Sequence, residues 1–234
     1  GKRFFYVNPL EVNPEISGKM PGFEHVLVQR PKWYACACCP PNVVRLVMSL
    51  GRYAWGEDKE NRILYSHLFM GGSAEFDTAV IDTESEYPWN GNVSYRIHPK
   101  DASAFTLAIH IPSWVKNPVI TLNGSKAENI TEKDGYVYIR QCFQNDDIIA
   151  VTFALPVRRI YANTAVRADE GCTALMRGPI VYCFEGIDNG ERLQELRIPV
   201  DAQFAVQDAG EDILKGMKNI IFTGARVHSE SEEL

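Results

Sequence analysis

The sequence predicts a mainly β fold, a hairpin and one helix followed by two β-sandwich domains, and three observations carry that expectation. Beyond Arg62, short runs rich in Ile, Val, Tyr and Phe are punctuated by turn signals at the spacing of a sandwich: Gly71-Gly72, Asn90-Gly91, Asn123-Gly124, Asp134-Gly135 and Asn145-Asp146-Asp147. Helical spacing is concentrated in one stretch, Val43, Val44, Leu46, Val47, Leu50 and Ala54. Pro156 and the basic pair Arg158-Arg159 interrupt the strand-like pattern and divide it in two.

Taken in order, residues 3–12 alternate aromatic and apolar positions and end at Asn13-Pro14, a strand closed by a turn. Residues 15–22 contain Gly18, Pro21 and Gly22 and read as a loop. A second extended run, residues 25–29, stops at Pro31, so the two runs together predict a β-hairpin that delivers the chain to the helix. Pro40 and Pro41 suit a helix entrance, where a missing N–H is not needed, and Asn42 is the expected cap. The helix is expected to run to about Trp55. The polar stretch Gly56-Glu57-Asp58-Lys59-Glu60-Asn61 then reads as a break, which gives segments 1–60, 61–157 and 158–234. Residues 95–97, 105–111, 119–122, 136–139 and 148–155 supply strands for the first sandwich; residues 160–161, 173–176 and 180–184 supply the second. The pattern thins after Asp188 and ends in the acidic run Ser229-Glu230-Ser231-Glu232-Glu233-Leu234, so the second sandwich is expected to be incomplete. The start, Gly1-Lys2-Arg3-Phe4-Phe5-Tyr6, lacks an initiator Met and enters a strand-like run directly, as a piece of a longer protein would.

The chain has 234 residues, enough to bury a sizeable core. Its 24 basic and 30 acidic residues leave a formal charge of -6, and no Lys/Arg cluster forms the concentrated basic face that phosphate binding needs. Nucleic acid and anionic membrane surfaces are therefore not the expected partners, and no apolar run is long enough to span a bilayer. Nothing in the sequence decides a compartment.

The chemistry concentrates in Cys36-Ala37-Cys38-Cys39-Pro40-Pro41-Asn42, three of the six cysteines within four positions at a helix start. Unpaired backbone N–H groups and the helix dipole favour anions there, thiolates included. A single cysteine would be read as a small buried hydrophobe, the role expected of Cys142, Cys172 and Cys183. Three together point to chemistry, either as a metal site or as a nucleophile. A structural zinc wants four ligands, and no second CxxC or His pair completes the set. A nucleophile wants a nearby acid or base, and His25, His67, His98, His110 and His228 are scattered, with ordinary surface or core roles expected of His98, His110 and His228 in the β region. A redox pair is the third reading, against which Cys38-Cys39 is vicinal rather than CxxC.

Tyr6-Val7-Asn8-Pro9-Leu10-Glu11 and Lys32-Trp33-Tyr34-Ala35-Cys36-Ala37-Cys38-Cys39-Pro40-Pro41-Asn42 resemble the end of the catalytic domain of the β-L-arabinofuranosidases, glycoside hydrolase family 127. Ile111-Pro112-Ser113-Trp114, residues 119–124 and Arg177-Gly178-Pro179-Ile180-Val181-Tyr182-Cys183 extend the likeness over nearly the whole chain. The resemblance implies an (α/α)6 barrel followed by β-sandwich domains, of which the hairpin and helix here would be the remnant of the barrel. It also implies a retaining glycosidase for L-arabinofuranoside-type sugars, with zinc held by three cysteines and a glutamate. Carried over by motif, Cys38 would be nucleophile and zinc ligand, Cys39 a further zinc ligand, and Tyr6 a residue bordering the sugar; Cys36 lies in the motif without an assignment to the metal. The remaining ligands and the acid/base glutamate would lie upstream of Gly1, so the expectation for this chain alone is no hydrolysis and little or no zinc. The surface left bare by the missing barrel would invite self-association. The alternative is a carbohydrate-binding or structural β-sandwich module, with Trp89 or Trp114 offering rings to sugars and inter-domain packing as their plainer role.

Overall fold

A computed structural model of the chain describes residues 3, 5–6, 12–22, 24–34, 38–210 and 214–227. It divides into two compact units, residues 1–53 and 54–234.

In the first unit, Asn13 organises a tight turn: its carbonyl accepts from the Ser17 N–H at 2.7 Å, and its side-chain Oδ1 from the Glu15 N–H at 2.9 Å. Most of the expected strand over 3–12 lies outside the described residues, and residues 25–29 join no ladder among those described. The helix forms as Cys39–Ser49 (α1), with a second short turn Gly51–Ala54 (α2). Proline occupies its first turn, as expected. Asn42 does not cap, however: Cys38 stands at the N-cap, and Asn42 lies inside the helix, its Nδ2 donating back to the Cys38 carbonyl at 2.9 Å. None of the α1 residues is buried, and Val43, Val44, Leu46 and Val47 are 51–62% exposed.

The second unit begins with a strand. The stretch from Gly56 to Asn61, read from the sequence as a break, is a hairpin: Trp55–Asp58 (β1) pairs antiparallel with Ile63–Ser66 (β2). Its polar residues close the turn rather than link domains, because the Asp58 carboxylate accepts from both the backbone N–H and the side-chain amide of Asn61, at 3.0 and 2.8 Å. Nine further strands follow: Gly72–Glu75 (β3), Ala79–Ser85 (β4), Asn92–Pro99 (β5), Phe105–His110 (β6), Val119–Leu122 (β7), Ser125–Lys126 (β8), Ile130–Lys133 (β9), Tyr136–Gln141 (β10) and Asp147–Thr152 (β11). They assemble two sheets, β1-β2-β6-β10-β9 and β3-β4-β5-β11-β7-β8, packed face to face as the sequence predicts. The β2–β6 pair is parallel, so the chain must cross to the other sheet and return between them.

Side chains at alternate positions fill the space between the sheets. Leu64, Leu107, Ile109, Val137 and Ile139 come from one, and Ile81, Val93, Ile97, Ile149 and Val151 from the other. Burying each is worth about 1.5–3 kcal/mol, which makes this core the main source of stability. One polar contact sits inside it: the Ser66 and Tyr95 hydroxyls lie 2.9 Å apart, both fully buried, and burial pushes the Tyr95 phenol well up.

Beyond residue 156 the sheets are smaller. Val157–Ile160 (β12), Ala174–Arg177 (β13) and Ile180–Tyr182 (β14) form a three-stranded antiparallel sheet. After the helical turn Gly186–Asn189 (α3), Leu196–Arg197 (β15) pairs with Ala225–Arg226 (β18), and Ala205–Asp208 (β16) with Lys218–Ile221 (β17). Among the described residues of this region only Leu175, Gly178 and Glu195 are buried. Arginines therefore carry much of its attachment. Arg158 lies over the Trp114 ring at 5.5 Å and donates to the Gly178 carbonyl at 3.0 Å; Arg159 lies over Phe204 at 5.2 Å; Arg177 donates to the Trp89 carbonyl at 2.9 Å. The seam at Arg158-Arg159 is thus a stitch rather than a linker.

Two outcomes follow for stability. A Cβ on Gly91 would stand 1.9 Å from the Phe153 carbonyl oxygen, an atom that cannot move without breaking the sheet. Gly91→Ala is expected to lower the unfolding free energy by about 1–3 kcal/mol or more, measured by urea denaturation. His98 has an oxygen acceptor on each ring nitrogen, Asn145 Oδ1 at 2.9 Å and Asp82 Oδ2 at 3.1 Å, and both bonds form only with the imidazolium. Asn145 first, then the carboxylates of Asp82 and Asp146, raise its pKa. A raised folded value means stabilisation present below the unfolded pKa of about 6.5 and lost as pH rises through the folded one. The melting-temperature advantage of wild type over His98→Gln should therefore be larger at pH 5.5 than at pH 8.5.

Candidate active site

The start of α1 brings three of the sequence-selected residues together. The Tyr6 hydroxyl lies 3.0 Å from Cys38 Sγ and donates to Cys39 Sγ at 2.9 Å, across more than thirty residues of chain. The two sulfurs are 3.7 Å apart, which places them side by side and unbridged, since a disulfide would hold them near 2.05 Å. Cys38 at the N-cap and Cys39 in the first turn both sit where the backbone N–H groups are unpaired, and Pro40 and Pro41 remove two of those donors without loss of a helical bond. Tyr6 is set in turn by Tyr34, whose ring centroid is 5.2 Å away at a tilt of 59°. Both thiols are exposed. Cys36 lies outside the described residues.

The other expectations divide. Cys142, Cys172 and Cys183 are exposed rather than buried. Each stands just past or between strands: Cys142 follows β10, Cys172 precedes β13, and Cys183 follows β14 in a sheet without a deep core. Apolar neighbours in sequence did not mean an apolar environment. His67, His98 and His110 do hold ordinary roles within the β sandwich. His67 Nδ1 contacts the Tyr136 hydroxyl at 2.7 Å, and His110 stacks on Phe69 at 6.5 Å, its pKa lowered by burial and then by His67. Trp89 and Trp114 are packing residues. A Cβ on Gly216 would meet Trp89 Cδ1 at 3.2 Å, and Trp114 lies beneath Arg158.

Among the described residues no group of three or more His, Cys, Asp or Glu is placed to hold a metal ion. The vicinal thiols are a pair. What they fit is tested by their separation: two Zn–S bonds of about 2.3 Å meeting at a tetrahedral angle span about 3.8 Å, against the observed 3.7 Å. The donor set suits half of a zinc site.

Residues 63–155 match the β-L-arabinofuranosidase GH127 middle domain, and residues 157–220 match the glycoside hydrolase family 127 C-terminal domain. The chain belongs to glycoside hydrolase family 127, the β-L-arabinofuranosidase family. It is 35% identical to the non-reducing end β-L-arabinofuranosidase of Bifidobacterium longum subsp. longum, over all of this chain and 36% of that protein. The crystal structure of a GH127 β-L-arabinofuranosidase from Geobacillus stearothermophilus T6 superposes with a TM-score of 0.87 at 41% identity, covering all of this chain and 37% of that one. A further GH127 β-arabinofuranosidase structure gives 0.80 at 31% identity, over 97% of this chain and 36% of that one. The chain thus spans little more than a third of the length of these relatives.

The Tyr6 hydroxyl is a hydrogen-bond partner shared by the two sulfurs and fixes their orientation. Tyr6→Phe is expected to slow alkylation of both Cys38 and Cys39 at neutral pH while leaving Cys142 unchanged, as followed by peptide mass spectrometry.

Proposed function

We propose that this chain carries the thiol half of the active site of a retaining β-L-arabinofuranosidase. Cys38 is the nucleophile and a zinc ligand, Cys39 is a second zinc ligand, and Tyr6 borders the sugar. The observation that carries this reading is the single hydroxyl serving two sulfurs at tetrahedral-site separation. Family membership and the names of the relatives support the sugar class.

In this reading Cys38 Sγ attacks the anomeric carbon, and the S–C1 bond forms as the glycosidic C1–O bond breaks. A carboxylic acid protonates the departing oxygen. Water then displaces the sulfur from the opposite face, and two inversions give net retention. The helix N-terminus orients the thiols, and Tyr6 holds a proton between them. Zinc, when bound, keeps the sulfur deprotonated at neutral pH. With two metal ligands among the described residues, this chain alone is read as binding zinc poorly and turning over no arabinofuranoside. The apolar stripe of α1, Val43, Val44, Leu46 and Val47, is read as surface meant for further helices, through which the isolated chain self-associates.

Limiting iodoacetamide followed by mass spectrometry is expected to label Cys38 first; labelling of Cys142 or Cys183 ahead of it counts against the nucleophile assignment. Metal analysis of the purified chain is expected to find zinc well below one per chain, with no release of aryl leaving group from an aryl β-L-arabinofuranoside. Stoichiometric zinc, or turnover, overturns the half-site reading.

A further inference from the structure

The outer face of the sheet β1-β2-β6-β10-β9 is an aromatic surface that the thiol chemistry does not use. Register places its side chains in rows across the strands. Gly56, Tyr65, Ala108, Tyr138 and Thr131 form one; Asp58, Ile63, Thr106 and Arg140 form the next. In the first row the fully buried Ala108 is a floor between two tyrosines. The Tyr65 and Tyr138 ring centroids lie 6.2 Å apart and edge-on at 88°, and Tyr136 meets Tyr65 at 5.7 Å and 89°. His67 backs the group, stacked on Tyr65 at 5.9 Å and bonded to the Tyr136 hydroxyl. Room for it depends on Gly56, where a Cβ would stand 2.7 Å from His67 Nε2. The rings are therefore held from behind rather than splayed into solvent.

The second row is polar at both ends. Asp58 is fixed by Asn61, which also lowers its pKa, so it is an oriented acceptor at neutral pH. Arg140, exposed at the other end, reaches Thr106 Oγ1 at 3.4 Å and presents further N–H donors. Three strand spacings separate the two ends of this second row, about 14 Å. Both rows contribute to the lining of a depression of about 470 Å3, with Lys133 of β9 beside them.

We propose that this face is a non-catalytic binding groove for a neutral, L-arabinose-containing glycan. Sugar rings are amphipathic, with C–H faces that suit tyrosine and hydroxyls that suit an acceptor at one end and a donor at the other. The groove carries one acidic residue, Asp58, and two basic ones, Arg140 and Lys133, too few cations to make the concentrated basic face that a polyanion needs, which separates it from a nucleic-acid surface. The choice of arabinose rests on the proposed function; the groove itself does not.

The test is affinity electrophoresis of the whole 234-residue chain in native gels containing soluble branched L-arabinan, with dextran as comparison. Arabinan is expected to retard the chain, and Tyr138→Ala or Tyr65→Ala to weaken binding about tenfold, while Tyr138→Phe keeps most of it. Should the alanine variants fail to fold, Asp58→Asn and Arg140→Ala, at polar positions of the rim, are expected to weaken retardation as well. No retardation by arabinan, equal retardation by dextran, or retardation indifferent to all four substitutions overturns the proposal. A dimer in solution that Tyr138→Ala converts to monomer also overturns it, by making the face a protein interface. Retardation lost in Cys38→Ser but kept in Tyr138→Ala would place the sugar at the thiols, overturning the groove while leaving the reading of Cys38 standing.

Discussion

The alternation of side chains along β6 is the constraint on which the sandwich depends. Phe105, Leu107 and Ile109 point inward, and Thr106, Ala108 and His110 outward. A slip of one residue would send the apolar set to solvent and the threonine and alanine into the core. The central position of β6, with β2 on one side and β10 on the other, propagates that register to both neighbours. Core and outer face are thus decided by one pairing. The same register that seals Leu64 against Ile81 and Ile97 brings Tyr65 and Tyr138 to either side of Ala108.

The thiol site is built on a different principle. It is almost wholly local, a helix start that sets two consecutive thiols side by side. Among the described residues, Tyr6 reaches it from more than thirty positions away. Because a single hydroxyl meets two sulfurs held 3.7 Å apart, the pair acts as a unit, and substitution of either thiol changes the environment of the other.

Between the sandwich and the smaller sheets, the joint is made by guanidinium groups over aromatic rings and onto carbonyls. That is what a region with little buried apolar surface needs in order to hold its place. Two of them cross the joint, Arg158 over Trp114 and Arg177 onto the Trp89 carbonyl, and a cation–π contact of this kind is worth about 0.5–2 kcal/mol. Glu195, buried between Arg192 and Arg226, shows the same solution inside the terminal region.

Strand periodicity, turn residues and the clustered cysteines were legible in the sequence, because each is a pattern within a few neighbouring positions. They determined a β-rich chain, a helix opening at the cysteines, and the family. Where local pattern misled, the cause was non-local. Gly56 to Asn61 has the composition of a linker yet folds as a hairpin, because β2 has β6 to lean on. Asn42 has the chemistry of a cap but falls inside the helix, its amide donating to the Cys38 carbonyl. Cys142, Cys172 and Cys183 have apolar neighbours in sequence and solvent in space. Only the tertiary structure decided that Tyr6 reaches both thiols and that Tyr65, Tyr136 and Tyr138 share one face, since spacing along a chain carries no information about which strands become neighbours.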